Sequence, residues 1–548
     1  MTAAAAIVVS VVVAWANHDC IELVVASSNE KYELLSDIAK TYPAPPVDRR
    51  CVTVRIIQKA SGAAERALRR DWADERTPKP DVWSPAAKTW LVLLTQDRAN
   101  DGHEDILPRV AHSLMQSPLV IGMPEQMADA LHTPTGKIGW EDIYDLARDP
   151  QGWARYGKLW GLFKFGKTDP TTSTSGLHAL ISVNYAAQRT ADPAEFVKVV
   201  ESRVVHYGDS VATLLANLRA ADDADNALAY VSAIAIEEKQ VFDYNNPGSG
   251  LPPKQRLKAI HPKDGTLVAD HPYAILSWSD PAHQQAAADF ERYLTTTQKI
   301  QRRFQDAGFR NYLGQAGDVL QPPYFDRSVP RERWEPPDPL DLVDMLSQWS
   351  HVLRKPAHAL FVVDVGRPMS DPIAGTNGTK LDVATRAASN ALDDLAPNDA
   401  VGLWTFPTAD GSPYRLAAPT STIATSTSAI VRAVPPVTKS SDERALYGVI
   451  RASVAEIRGS YDRDRINAVV VLTGGGYALS DKASSDGLID YLQRQPIDQR
   501  VRLYVVAYGP TSNDVLRRIA ESSGGAFYDA TTDQLNITEQ LRNAMSNF

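Results

Sequence analysis

The chain has 548 residues, a formal net charge of −9 and a hydrophobic fraction of 44%. At about 100 to 200 residues per domain, this length predicts two to four compact units. The charged fraction of 22% is that of an ordinary globular protein, which excludes a disordered or fibrous chain. An acidic chain lacks the concentrated basic face that nucleic acid binding needs, so we predict no nucleic acid partner.

The N-terminus carries an apolar run from Ala3 to Ala16 that ends in the small-residue pattern Ala14-Trp15-Ala16. This pattern is typical of a secretory signal peptide, although no Lys or Arg precedes it. The run is shorter than the roughly 20 apolar residues that span a bilayer. We therefore predict that residues 1–19 are a signal peptide, with a retained anchor or a buried first strand as alternatives. The protein is then extracytoplasmic, either secreted or associated with the cell envelope.

The chain contains two cysteines, Cys20 and Cys51, and each stands just before a strand-like run. If these strands are neighbours in a parallel sheet, their starts lie side by side and a disulfide can form. Closing about 30 residues stabilises a fold by roughly 3 to 4 kcal/mol in the chain-entropy account. Two buried free thiols are the alternative, which is less compatible with an exported chain.

From Cys20 onward, β-branched runs alternate with helical stretches, which predicts parallel sheets with crossover helices. The pattern continues to residue 313, where a proline-rich stretch begins that favours a semi-rigid linker over residues 314–355. Buried-strand runs and helical runs alternate again over residues 356–548 and predict a second, doubly wound α/β domain. The fold class is α/β throughout.

Seven segments of the first domain resemble an extracellular solute-binding protein of the type II periplasmic class, as found fused to a von Willebrand type A domain in actinobacterial proteins. They are ASSNEKYELLSDIAKTY, PKPDVWSPAAKTWL, SPLVIGMPEQMADAL, FGKTDPTTSTSG, VVHYGDS, SAIAIEEKQVFDYN and DGTLVADHPYAIL. The resemblance implies a bilobal domain over residues 20–313 that closes on a small polar or anionic solute. It also implies that SPLVIGM and GTLVADHPYAIL cross between the lobes, and that a membrane transporter is a partner.

The candidate ligand-binding residues are hydroxyl residues and glycines that follow predicted strands. Thr174, Ser175 and Gly176 begin a helix whose free amide groups suit an oxyanion or carboxylate. An ordinary helix cap is the alternative. Similar loops after other strands contain Ser27, Ser28, Ser61, Gly62 and Ser84, and parallel sheets bind ligands at these strand ends.

Three further residues are placed near the same cleft: Tyr207, Asp209 and Tyr244. Tyrosines are commonly core residues with one polar end, and an aspartate is common in turns, so both alternatives stay open.

Enzyme motifs are weak. The stretch from Gly161 to Thr168 matches the phosphate-loop pattern, but its alternating apolar residues are typical of a strand, and Asp169-Pro170 follows where a helix is required. The pair Glu237-Glu238 is interpreted as a surface or lobe-packing feature, because adjacent side chains point apart. We predict a protein that is not an enzyme and uses no cofactor.

Residues 356–548 resemble a von Willebrand type A domain, a Rossmann-like fold whose members hold a divalent ion through a loop of aspartate and hydroxyl residues. Asp364 occupies the first position of that loop, but Gly366 and Pro368 replace the two serines. Arg444 replaces the threonine and Gly474 replaces the second aspartate. Hard cations need several oxygen ligands, so we predict a degenerate site without metal.

We hypothesise that the Arg444 guanidinium takes the place of the metal and pairs with Asp364. The alternative is a solvent-facing arginine and an aspartate that caps its own loop. Without metal, this domain is predicted to be a protein-interaction module. A different possibility for the whole chain is an adhesion or assembly scaffold in which both domains make protein contacts and no solute is bound.

Overall fold

We describe the protein from a computed structural model. It describes residues 20–73, 75–131, 137–373, 378–393, 395–408, 410, 412, 414–424, 433–434, 436–437, 445–475, 482–509, 511–531 and 534–548. The predicted signal segment and Arg444 lie outside these residues, so the signal peptide and the Arg444–Asp364 pair stay predictions.

The N-terminal unit contains twelve strands and twelve helices in the described part of the chain. The strands are β1 (Ile21–Ser27), β2 (Val52–Gln58), β3 (Val82–Ser84), β4 (His112–Ser113), β5 (Met115–Pro124), β6 (Phe165–Thr168), β7 (Val204–Gly208), β8 (Ala233–Glu237), β9 (Leu257–Ile260), β10 (Val268–Ala269), β11 (Pro272–Ile275) and β12 (Arg310–Asn311). The helices are α1 (Asn29–Ala39), α2 (Ser61–Arg69), α3 (Thr89–Asn100), α4 (Glu125–Ala130), α5 (Trp140–Arg148), α6 (Thr174–Ala187), α7 (Pro193–Ser202), α8 (Val211–Asp223), α9 (Ala227–Tyr230), α10 (Glu238–Asn245), α11 (Pro281–Thr296) and α12 (Gln298–Asp306).

These strands form two sheets, which define two lobes. The sheet of the first lobe has the order β2-β1-β3-β11-β4, with β1 parallel to β2 and β3. The sheet of the second lobe has the order β10-β5-β8-β6-β7, and β9 and β12 pair with β5 outside this path. Both lobes are α/β layers, as the alternation of strand and helix patterns predicts.

The chain passes between the lobes where the sequence predicts crossing strands. β4 pairs with β11 in the first lobe, and the chain enters β5 of the second lobe two residues after β4 ends. β10 pairs with β5, and the return to β11 follows within a few residues. Both crossings are short, so the lobes are joined at a narrow hinge.

The predicted disulfide is confirmed. Cys20 and Cys51 are bonded to each other. β1 and β2 are parallel with Ile21 opposite Val52, so the residues that precede them are brought side by side.

The predicted linker is packed against the N-terminal unit. Arg310 donates to the carbonyl oxygens of Asp326 at 2.8 Å and Ser328 at 2.9 Å, and Leu320 is fully buried. A helix, α13 (Pro339–Gln348), follows and contacts both α3 of the first lobe and α6 of the second. A short π-helical turn over Trp349–Leu353 leads into the C-terminal unit.

The C-terminal unit has one sheet with helices on both faces. Its strands are β13 (Ala357–Asp364), β14 (Ala400–Phe406), β15 (Arg415–Thr422), β16 (Ile466–Thr473), β17 (Arg502–Ala507) and β18 (Ala526–Asp529). Its helices are α14 (Lys380–Asp393), α15 (Ala445–Gly459), α16 (Lys482–Gln493), α17 (Asn513–Ser522) and α18 (Ile537–Met545). The strand order is β15-β14-β13-β16-β17-β18, and the described pairs are parallel except β14 with β15. Residues of α14 and α18 pack on one face, and residues of α15, α16 and α17 on the other.

The phosphate-loop pattern lies in a strand. Gly166, Lys167 and Thr168 belong to β6, and the next helix begins only at Thr174. The Lys167 ammonium is fully buried and pairs with Glu201. A lysine held in this way cannot contact a phosphate, so the structural context excludes a nucleotide site here.

Candidate functional site: a cleft between two lobes

A cleft of about 340 Å³ lies where strands of both lobes end. From the first lobe it is lined by residues that follow β1 and β2, including Asn29 and Ser61. From the second lobe it is lined by residues that follow β6, β7 and β8. The carboxyl ends of parallel strands are the usual ligand sites of open α/β sheets, and this volume suits a small molecule.

Three of the sequence-predicted residues line this cleft: Ser61, Thr174 and Asp209. Ser61 begins α2, Thr174 begins α6, and Asp209 stands just before α8. They come from three helix starts in two lobes, and the fold brings them together. Burial raises the pKa of Asp209 to about 6, while a hydrogen bond from the Thr213 hydroxyl lowers it.

Four predicted serines are buried next to the cleft and bonded within the protein. The Ser84 hydroxyl donates to the Pro272 carbonyl at 2.8 Å, and the Ser27 hydroxyl to the Ser28 carbonyl at 3.1 Å. Ser28 accepts a hydrogen bond from Lys31, and the Ser175 hydroxyl donates to the Gln240 side chain at 3.3 Å. These serines support the cleft rather than lining it.

The predicted glycines permit close backbone approach. A Cβ on Gly62 would lie 2.2 Å from the Thr171 carbonyl oxygen, and its amide donates to the Thr172 carbonyl at 3.2 Å. Because Gly62 belongs to the first lobe and Thr171 to the second, this contact joins the lobes. A Cβ on Gly176 would lie 2.3 Å from the carbonyl oxygen of Thr168. The helix α6 can therefore pack against β6, the strand that precedes it, only with glycine at position 176.

The two predicted tyrosines lie elsewhere. The Tyr207 side chain is fully buried, donates to Glu201 at 2.7 Å and accepts from the Lys355 amide at 2.9 Å. Tyr244 is buried in an apolar cluster with Val241 and Leu257. Side-chain alternation along β7 turns Tyr207 toward the segment that leads into the C-terminal unit. Both tyrosines are therefore core residues with one polar end, which was the alternative interpretation of the sequence.

Glu237 and Glu238 are both buried, at 1% exposure, so a surface location for this pair is wrong. Glu238 pairs with Arg310 at 2.7 Å, which ties the start of α10 to β12. Glu237 lines the cleft, and its Oε2 atom has no hydrogen-bond partner among the described residues. The strand β8 ends at Glu237 and the helix α10 begins at Glu238, so the two side chains face different surroundings.

A group of charged residues that was not predicted from the sequence lies beneath the cleft: Lys31, Glu237 and His271 are buried, and Glu30 beside them is partly buried. The Lys31 ammonium is fully buried, donates to the carbonyl oxygens of Ser84 and Pro85 at 2.9 and 3.0 Å, and lies 3.3 Å from His271 Nδ1. Burial lowers the pKa of Lys31 to about 8, opposed by Glu30 and Glu237. The sequence shows that Lys31 lies within a predicted helix, α1. The helix pattern alone does not distinguish a buried lysine at this position from a lysine on the surface.

The lobes contact each other beside the cleft. The Trp90 indole of the first lobe donates to the Thr174 hydroxyl at 2.8 Å, and both residues are buried. The Arg66 guanidinium donates to the Thr171 carbonyl at 3.0 Å. Leu177 and Ile181 of α6 pack into the apolar core of the first lobe. The structure is therefore a closed arrangement of the two lobes.

A larger groove of about 660 Å³ lies away from the cleft. It is lined by residues of the second lobe and of the segment that follows it, such as Lys258, His261 and Tyr324. None of the described residues that line it belongs to the first lobe's sheet, and those residues do not follow the parallel strands. We therefore place the candidate ligand site in the cleft.

In the C-terminal unit, Asp364 ends β13 and is fully buried. Its carboxylate accepts from the amides of Gly366 at 2.8 Å and Gly474 at 3.0 Å, and from the Thr473 hydroxyl at 3.2 Å. A Cβ on Gly474 would lie 2.4 Å from the Met369 sulfur, so an aspartate at the position of the resembled family's second aspartate would require the Met369 side chain to move.

Two sheets joined by short crossings, with a cleft at their strand ends, define a bilobal binding protein. Residues 23–310 match the family described as bacterial extracellular solute-binding protein. The chain belongs to this family. Its role is therefore to bind a solute outside the cytoplasm, and the family is not one of enzymes. No helix in the described ranges has the length and apolar character needed to cross a membrane.

An uncharacterized protein of Mycobacterium tuberculosis strain H37Rv is 23% identical over 510 residues, which cover 89% of this chain and 71% of that protein. Among solved structures, the sulfate-binding protein SubI from Mycobacterium tuberculosis aligns with 13% identity, covering 60% of this chain and 96% of its own, with a TM-score of 0.38. A periplasmic thiamin binding protein aligns with 12% identity, covering 61% and 96%, with a TM-score of 0.42.

Proposed function

We propose that this protein is an extracytoplasmic binding protein that holds one small polar solute between its two lobes and presents it to a membrane transporter. The observation that carries this proposal is the cleft itself. It is formed by residues that follow β1, β2, β6, β7 and β8, and it contains the hydroxyl residues Ser61, Thr172, Ser173 and Thr174.

The proposal includes the division of the chain. Residues 1–19 are a signal peptide or anchor, 20–313 the solute-binding domain, 314–355 a connecting segment and 356–548 a von Willebrand type A domain. The six-strand order of the C-terminal sheet and the position of Asp364 at the end of β13 support the last assignment.

In this proposal, the C-terminal domain is a protein-interaction module without a metal. Support comes from the Asp364 carboxylate, whose oxygens accept hydrogen bonds from the amides of Gly366 and Gly474. Such bonds satisfy a buried carboxylate without a cation. Magnesium with and without a chelator tests this: the unfolding temperature should not change, and a magnesium-dependent rise would overturn the assignment.

Thermal unfolding of the full chain against sugars, amino acids, amines, oxyanions and carboxylates tests solute binding. A ligand present at 100 times its dissociation constant stabilises the folded state by about 2.7 kcal/mol. We expect compounds of one chemical class to raise the unfolding temperature. If no compound in the panel raises it, the scaffold alternative, in which both domains make protein contacts, is favoured.

A further inference from the structure

The C-terminal unit meets the two lobes at the side of the cleft that lies opposite the hinge, which we call the mouth of the cleft. The hinge joins β4 and β11 of the first lobe to β5 and β10 of the second. The strand orders β2-β1-β3-β11-β4 and β10-β5-β8-β6-β7 place β2 and β7 at the sheet edges farthest from the hinge. Lys59 follows β2 and contacts Glu539 of α18, and Asp209 follows β7 and contacts Asn547. The end of the chain therefore spans the mouth of the cleft.

Contacts of the C-terminal unit with the second lobe are buried. Asn217 of α8 is 7% exposed and donates to the Gly524 carbonyl at 3.0 Å. The buried Tyr207 hydroxyl accepts from the Lys355 amide at 2.9 Å. Ile497 packs against the apolar cluster that includes the core face of α8. Separating these surfaces would leave buried polar groups without partners and expose apolar area, so the contacts resist separation.

The contact with the first lobe at the mouth is an ion pair that can break at low cost. The Lys59 ammonium lies 3.1 Å from the Glu539 carboxylate and 2.9 Å from that of Glu75, which belongs to its own lobe. The side chains of Lys59 and Glu539 are 10% and 27% exposed. When Glu539 moves away, Lys59 keeps Glu75 as a partner and water reaches the Glu539 carboxylate. Neither charge is then left buried and unpaired, which is the costly outcome for a broken ion pair.

Apolar contacts between the lobes lie near the hinge. Leu177 and Ile181 of α6 pack in the same cluster as Leu267 and Ala269, which belong to the hinge segment around β10. A rotation about a hinge displaces atoms in proportion to their distance from it. Contacts near the hinge therefore move least and the mouth opens most.

We propose that the second lobe and the C-terminal unit form one body, from which the first lobe rotates away about the hinge, and that the Lys59–Glu539 pair is the latch that this motion breaks. Of the residues that line the cleft, Ser61 then moves with the first lobe, while Thr174 and Asp209 stay with the C-terminal unit. The inference rests on the proposed solute-binding function and states how access to that site is controlled.

Distances between spin labels, measured by electron–electron double resonance on the full chain without any solute, test this inference. Labels attached pairwise at Ala99→Cys, Lys198→Cys and Ala455→Cys report on the first lobe, the second lobe and the C-terminal unit, and all three positions are exposed. Glu539→Lys replaces attraction to Lys59 by repulsion. We expect it to shift the 99–455 and 99–198 distances to longer values and to leave the 198–455 distance unchanged.

Glu33→Lys is the matched control, because it reverses the charge of an exposed glutamate on α1 of the first lobe. It should leave all three distances unchanged. Lys59→Ala removes the same ion pair from the other side and serves if Glu539→Lys does not fold.

Each contrary outcome overturns a stated part of the inference. If the 198–455 distance lengthens as much as the 99–455 distance, the second lobe and the C-terminal unit are not one body. If Glu539→Lys changes no distance, or changes the distances as Glu33→Lys does, the ion pair is not a latch. These distances are measured without a solute, so they are independent of the thermal unfolding panel. Failure of this inference and failure of the proposed function are therefore distinguishable.

Discussion

A buried carboxyl group outside the cleft, Glu65, illustrates how single residues affect the stability of this protein. Glu65 lies on α2, is 4% exposed, and its Oε1 has no hydrogen-bond partner among the described residues. Burial raises the pKa of Glu65 to about 7, and Asp97 raises it further, while neighbouring arginines lower it. The folded state therefore disfavours the ionised form.

We predict that Glu65→Gln makes the protein more stable at pH 8 but not at pH 4. The group binds its proton more tightly in the folded state, so the wild type loses stability as the pH rises from 4.5 to about 7. The full penalty is about 3 kcal/mol, and a neutral glutamine avoids it. Urea unfolding at both pH values measures the difference. An equal effect of the substitution at pH 4 and pH 8 would contradict the assigned pKa.

For single residues, the sequence indicates which residue types follow the strands, but it does not indicate which of these residues meet at the cleft. Ser61, Thr174 and Asp209 were predicted, and they line the cleft. The contact between Lys31 and His271 beneath the cleft, near Glu237, was not predicted, because these residues are distant in sequence and meet only in the folded protein. Tyr207 was misplaced because the segment that contacts it, at Lys355, follows almost 150 residues later.

Among the elements, α6 joins the lobes. Its first residue, Thr174, accepts the Trp90 indole hydrogen at 2.8 Å, and its apolar residues Leu177 and Ile181 pack into the first lobe. The same helix start contributes to the cleft. The helix α6 therefore contributes both to the contact between the lobes and to the cleft.

We predict that Thr174→Val destabilises the closed protein by about 1–3 kcal/mol, because the buried Trp90 indole loses its acceptor. Thr174→Ser keeps the hydroxyl and is the matched control. Chemical unfolding followed by tryptophan fluorescence measures both. Equal stability of the valine and serine variants would show that the hydrogen bond across the lobes is unimportant.

The disulfide links the starts of β1 and β2. Replacing both Cys20 and Cys51 by serine should lower the free energy of unfolding by roughly 3 to 4 kcal/mol, because the unfolded chain gains the entropy of an open loop. The sequence separation of the two cysteines is 31 residues. Urea unfolding of the double variant, beside the wild type with and without reductant, measures the loss. A variant as stable as the oxidised wild type would contradict this explanation.

Strand and helix periodicity predicted the α/β elements of both units, and the disulfide followed from the positions of the cysteines. The proline-rich segment was harder to interpret. Its composition favours an extended linker, but Leu320, Phe325 and Leu342 are buried against the N-terminal unit. Isolated apolar residues among prolines do not show from sequence which surface they contact.

In the whole molecule, the C-terminal unit contacts both lobes. Glu539 of α18 pairs with Lys59 of the first lobe at 3.1 Å. The Asn547 side chain accepts from the Asp209 amide of the second lobe at 3.4 Å, and Asn217 donates to the Gly524 carbonyl at 3.0 Å. Lys59 and Asp209 follow β2 and β7, whose ends border the cleft. Opening the cleft must therefore disturb contacts with the C-terminal unit.

We predict that Glu539→Gln allows the lobes to separate more readily. Spin labels on Ala99→Cys and Lys198→Cys, one on each lobe, would report the distance by electron–electron double resonance. The described cysteines are both in the disulfide, so the labels attach at the new positions. We expect longer distances in Glu539→Gln and no change in Glu456→Gln, an exposed control on α15. Identical distributions in all three proteins would show that the C-terminal unit does not restrain the lobes.

The most direct test of solute binding between the lobes is calorimetric titration with a cleft-filling variant. Ala212 is exposed on α8 and lines the cleft, so an indole at this position occupies the ligand space without entering the core. Ala99→Trp, exposed on α3 away from the cleft, is the matched control. With the solute that raises the unfolding temperature, Ala212→Trp should bind at least about tenfold more weakly than the control. Equal affinity in the two variants would contradict the cleft as the binding site.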